Sequence, residues 1–150
     1  MRFTIATMAA MAASSASAAT VLPRSDLGGW NISYVQTGGA DRTHSEHVYG
    51  VYANAELADN IAVDCLSQTT SDGQVFSGND PTTLTCTPAS FSYVYNTADS
   101  TLTLTQTVEL SGTNVTVMGT SQPFTTKLDP IRGKGGSAHN ITFQATTGVA

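Results

Sequence analysis

Apolar residues recur along this chain with period two, the signature of half-buried β-strands, and almost nowhere with helical spacing. Trp30, Ile32 and Tyr34 share one face of a first strand opened by Gly28-Gly29, with Asn31 and Ser33 on the other. Gly38-Gly39-Ala40-Asp41 reads as a turn. A second strand near His47 to Ala55 has apolar residues on both faces, which predicts a central position or a face that meets a partner. A third, near Asn60 to Ser67, sets Ile61, Val63 and Cys65 on one side. Gln68 to Pro81 reads as a polar loop with a short apolar dip at Val75-Phe76, followed by a brief strand from Leu84 to Thr87.

The clearest pattern is a hairpin. Phe91, Tyr93 and Tyr95 alternate with polar neighbours, Thr97 to Ser100 turns, and Leu102, Leu104, Gln106 and Val108 then face opposite Thr101, Thr103, Thr105 and Thr107. Ser111-Gly112-Thr113 turns into Val115, Val117 and Gly119. Lys127 to Ser137 reads as a Gly-rich loop, and Ile141 and Phe143 mark a last strand. Good helix formers are scarce, while Thr, Val, Tyr and Ser abound. The expectation is an all-β domain: a compact antiparallel barrel or sandwich of about seven to nine short strands, with no internal repeat.

The first twenty residues break this pattern. Arg2 supplies a positive start, Phe3 to Ala13 is an uncharged apolar stretch, and Ala16-Ser17-Ala18 or Ser17-Ala18-Ala19 supplies a small-residue cleavage signal. Residues 1–19 are therefore read as a signal peptide, and 20–150 as a single secreted, extracellular domain. Six basic against eleven acidic residues give a net charge of −5 over 150 residues. That balance argues against nucleic acid and anionic membrane as partners. In an oxidising compartment Cys65 and Cys86, the two cysteines, read as a disulfide.

Candidate chemistry is sparse. His44-Ser45-Glu46-His47 is the one cluster of metal-ligand types. On a strand His44 and Glu46 share a face and His47 points the other way, so no metal is expected. The H-x-E spacing matches half of a deaminase site, but the P-C-x-x-C half is missing. There is no G-x-S-x-G elbow, and a disulfide leaves no thiol nucleophile. Asp64, Asp72, Asp80 and Glu109 are scattered acids of the kind that a glycosidase pair would need. Arg132 and Lys134 lie in a basic Gly-rich stretch without P-loop spacing, and are read as a candidate anion-contacting loop. Asn31, Asn114 and Asn140 head N-x-S/T sequons, each on the polar side of its strand, and are candidate glycosylation sites.

The order Trp30-Asn31-Ile32-Ser33, then Val63-Asp64-Cys65, then Cys86, Ser90-Phe91-Ser92-Tyr93-Val94-Tyr95 and Leu102 to Val108 resembles the Alternaria major-allergen family of secreted fungal proteins, from about Gly29 to Gly119. The resemblance implies an antiparallel β-barrel or sandwich, a bridge matching Cys65 and Cys86, and no enzymatic activity. Some members are allergens, and some are perceived by plants as effectors or elicitors. Other members carry extra cysteines for a covalent dimer and a second bridge. This chain lacks them, so a monomer or a non-covalent dimer is expected.

The expected function is non-catalytic binding of a host protein or a small apolar ligand, without a cofactor. The candidate surfaces are the Thr101, Thr103, Thr105, Thr107 row and the Arg132 to Lys134 loop. The alternatives are a secreted carbohydrate-active hydrolase with a hidden carboxylate pair, and a structural cell-wall protein.

Overall fold

Each predicted alternation finds a ladder that buries one of its faces. The computed structural model describes residues 26–38, 43–71, 82–128 and 135–150, and every structural statement below concerns these. The predicted signal peptide at 1–19, the Gly39 to Asp41 part of the predicted first turn, the predicted Val75-Phe76 dip and the predicted Arg132 to Lys134 loop lie outside them.

Ten strands form two antiparallel sheets packed as a sandwich rather than a closed barrel. They are β1 (Gly29–Gly38), β2 (Thr43–Ala53), β3 (Ile61–Thr70), β4 (Thr82–Thr87), β5 (Ser92–Asn96), β6 (Thr101–Leu110), β7 (Thr113–Thr120), β8 (Lys127–Leu128), β9 (Gly135–Gln144) and β10 (Thr147–Val149). The larger sheet runs β4-β3-β2-β1-β9-β8 and the smaller β10-β7-β6-β5.

The core lies between the sheets. Trp30, Ile32, Tyr34, Val48, Tyr52, Val63 and Cys65 come from the larger one, and Leu102, Leu104, Val108, Val115 and Val117 from the smaller. Gln106 is the polar intruder: it is fully buried, and its Oε1 accepts a hydrogen bond from Trp30 Nε1 at 3.2 Å. Gly119 leaves room for the indole, since a Cβ there would stand 3.0 Å from the ring and 2.5 Å from the Gln144 carbonyl. The bridge joins Cys65 to Cys86 directly across β3 and β4.

Three boundaries differ from the sequence expectation. The second strand begins at Thr43, because pairing with β1 continues to Gly38 opposite His44. Gln68, Thr69 and Thr70 are not loop but the polar end of β3, paired with β2 and β4. Lys127, Leu128, Gly135, Gly136 and Ser137, read as loop, instead belong to β8 and β9. Gly135 pairs with Thr37 at a φ of 142°, and a Cβ there would sit 2.3 Å from the Gln36 carbonyl. Its glycine therefore serves a close backbone approach within a sheet.

Candidate functional site

The outer face of the smaller sheet carries the predicted threonine row. Thr101, Thr103, Thr105 and Thr107 are half-exposed along β6. Their hydroxyls are largely engaged: Thr103 with Thr120 at 2.9 Å, Thr107 with Thr116 at 3.0 Å, and Thr101 donating to Asp99 Oδ1 at 2.8 Å. Three of the four hydroxyls of the row are thus engaged, and the exposed Val94 and Met118 lie beside them.

The outer face of the larger sheet is chemically richer. β2 lies inside this sheet, as its two-sided apolar pattern predicts. Val48 and Tyr52 face the core, while His47, Tyr49 and Val51 face outward. The register sets His47 between Val35 and Leu66, and Tyr49 between Ser33 and Asp64. His47 Nε2 donates to Asp64 Oδ2 at 2.8 Å, and its ring packs on Tyr49 with centroids 4.7 Å apart. Two large side chains a solvated face would not need, Val51 and Leu66, stay 36% exposed here.

A β-bulge on β9 shapes one flank. Three residue steps on β9 answer two on β1 between Ile32 and Tyr34, and Asn140 takes a φ of 55° there. The bulge brings His139 Nδ1 to 3.0 Å from Ser33 Oγ. Beside it an open cleft of about 540 Å³ runs between Phe124, Lys127, His139 and Ile141. A second, of about 470 Å³, is lined by Asn31, Val51, Ala53 and Gln144 among others. Both mix polar and apolar walls.

A third cluster lies inward. Tyr34 stacks on Tyr95 with centroids 4.8 Å apart, and Phe124 closes on both rings at 5.8 Å. Tyr93 Oη donates to Glu46 Oε2 at 3.2 Å, and the Gln36 amide donates to His44 Nε2 at 3.3 Å. The Tyr34 hydroxyl is sealed from solvent without a hydrogen-bond partner among the described residues. Burial first, and the Glu46 carboxylate second, push Tyr34 and Tyr93 far above the ordinary phenol value of 10.0. Burial also raises Tyr52.

The native state holds these phenols neutral, while the unfolded chain ionises them near pH 10. Their contribution is intact below pH 10 and is lost as pH rises above it. We expect the melting temperature to fall steeply above about pH 10, with the phenolate absorbance of these three tyrosines appearing only as the fold is lost. Reversible titration of every tyrosine in the folded protein would contradict this.

Of the other predicted positions, His44 and Glu46 share the inner face, 3.6 Å apart, and His47 lies on the opposite one. Among the described residues no three His, Cys, Asp or Glu side chains converge as metal ligands. Of the scattered acids, Asp72 and Asp80 lie outside the described residues, Asp64 binds His47, and Glu109 is exposed at the far end of β6. Asn31, Asn114 and Asn140 are all exposed. The Cys65–Cys86 bridge in a small β domain is compatible with an extracellular location. Compared with known proteins, the chain matches no family model, no curated protein and no solved structure.

Proposed function

We propose that this is a secreted, non-catalytic recognition protein of the effector or elicitor type, akin to the Alternaria major-allergen family, and that it binds a host protein. The observation that supports this most is the outward face of β2 and β3. There His47, Tyr49, Val35 and Leu66 form a half-buried aromatic and aliphatic centre, with Asp64 and Ser33 at its border. An apolar, aromatic centre inside a polar rim is the anatomy of a protein-binding hot spot. The strands beneath are interior to a sheet tied by a disulfide, so little conformational freedom is lost on docking. A protein partner fits this open face better than a small apolar ligand does, because such ligands need an enclosed pocket. Glycans on Asn31 and Asn140 would border the patch on its β1 and β9 side.

The test pairs a response with a turnover screen. Plant-cell defence responses are measured with the native protein and with Tyr49→Ala and Leu66→Asp, each checked for an unchanged melting temperature. Loss of the response in both variants is the expected result. The same preparations are screened on polysaccharide, ester and peptide substrates. Turnover abolished by Asp64→Asn would sink the reading and favour the hydrolase alternative.

A further inference from the structure

β9 is paired by β1 along one side, but by β8 only briefly along the other. Lys127 meets Ser137, Leu128 meets Gly136, and the pairing ends there. From Ala138 to Thr142 that side of β9 borders the open cleft of about 540 Å³ described above. The chain beyond Leu128 leaves from the Gly136 end, and every residue lining the cleft, between Gln122 and Lys127 and between Ser137 and Thr142, is among the described ones.

The strand directs hydrogen-bonding groups into this space. Ala145 N–H donates to the Gly28 carbonyl at 2.9 Å, in register with the Trp30–Phe143 and Ile32–Ile141 pairs. Alternate residues of an antiparallel ladder face opposite sides, so Thr142 turns its N–H and C=O away from β1 and toward the cleft. The lining suits an amphipathic ring. Pro123, Phe124 and Ile141 supply apolar surface, and Gln122, Lys127 and His139 supply polar groups. Phe124 is only partly buried although it packs on Tyr34 and Tyr95, which leaves ring surface for a ligand. The volume lies within the roughly 300–1,000 Å³ of sites that hold a small molecule.

A sugar ring carries both kinds of surface, and the chain places an acceptor for one at this cleft. Asn140 is exposed and lines it, and Asn140-Ile141-Thr142 is an N-x-T sequon. The β-bulge gives Asn140 its φ of 55°, and that left-handed conformation favours asparagine by itself. The cleft is the second, independent observation, since an asparagine serving only the bulge requires none. The other two acceptors are placed differently. Asn114 sits near the start of β7, and Asn31 lies on β1, between β2 and β9 in the middle of its sheet.

We propose that Asn140 carries an N-linked glycan whose first N-acetylglucosamine seats in this cleft against Phe124, covering the flank of β9 that β8 does not reach. The modification is made in the secretory pathway, so the proposal rests on the secreted character proposed above and not on the recognition role.

The test compares two preparations of the mature chain, one recovered from the medium of a eukaryotic host and one made without glycans in a bacterial periplasm. Glycopeptide mapping should find Asn140 occupied. Trimming its glycan to a single N-acetylglucosamine should leave the melting temperature unchanged, and nuclear Overhauser contacts should join that sugar to the Phe124 ring. The glycosylated form should melt higher, and Thr142→Ala should narrow the gap between the preparations by roughly 2–6 °C, while Thr142→Ser, which keeps the sequon, should not. Failure of the chain to reach the medium would overturn the secreted character and this proposal together. Protein in the medium with Asn140 bare would overturn this proposal alone. So would a glycan on Asn140 without contact to Phe124, or a gap indifferent to Thr142→Ala.

Discussion

Trp30→Ala is expected to cost more stability than any other single truncation in this chain. The indole is 1% exposed, and it touches Tyr52 and Phe143 with ring centroids 5.3 and 5.6 Å away. Removing it opens a large cavity, which costs roughly 3–5 kcal/mol. It also strips Gln106 Oε1 of the donor it holds in the core, and the Gln106 amide nitrogen already lacks a partner among the described residues. A stranded buried polar group adds about 1–3 kcal/mol. For a domain whose whole stability is about 5–15 kcal/mol, the variant should lose a large share of it, which denaturant unfolding would read as a much lower midpoint.

A cycle separates the two contributions. Trp30→Phe keeps most of the volume but orphans Gln106, whereas Trp30→Phe combined with Gln106→Leu removes both polar groups together. Denaturant unfolding should show the double variant to be more stable than Trp30→Phe alone. A double variant that is worse would mean that the Trp30–Gln106 hydrogen bond contributes little.

The second large effect is expected from the disulfide. Cys65 and Cys86 are 21 residues apart, and a closed loop of that size restricts the unfolded chain by about 3 kcal/mol. For a domain of this length that lowers the melting temperature by roughly 10 °C. The folded state adds to the effect, because the bridge anchors an otherwise exposed edge strand to the core. The two cysteines are not equivalent. Cys65 is fully buried and Cys86 only partly. Cys86→Ser should therefore cost about as much as reduction, and Cys65→Ser more, since it also places a hydroxyl in the apolar core. Calorimetry on the two variants and the reduced protein reads the difference. Equal melting temperatures for all three would show that the site at Cys65 tolerates polarity.

The fold was legible where apolar phase and turn chemistry agree. The β5-β6-β7 meander shows both, with strict alternation from Leu102 to Val108 and turn residues at either end. It failed where strands carry no apolar phase. Gln68 to Thr70 is polar on both faces, and Gly135-Gly136 has no side chains to alternate, so neither registers as a strand. The three-residue β10 is too brief to show a period.

The candidate surface was half visible. Apolar residues on both faces of β2 predict a central position or a face that meets a partner, and the flanking Val35 and Leu66 come from other strands. Only the register brings them beside His47. The Tyr34, Tyr93 and Glu46 cluster needed the approach of two sheets, which no local pattern encodes.

The lone tryptophan has a spectroscopic consequence. The chain has one indole and five tyrosines, and that indole sits between the two sheets with its N–H bound to an amide of the opposite one. Its emission should be short in wavelength when folded, and it should be fed by energy transfer from Tyr52, 5.3 Å away. Separation of the sheets ends both at once. A red shift and a loss of tyrosine-sensitised emission together would therefore report the opening of this sandwich, with no label attached, for every variant that keeps Trp30.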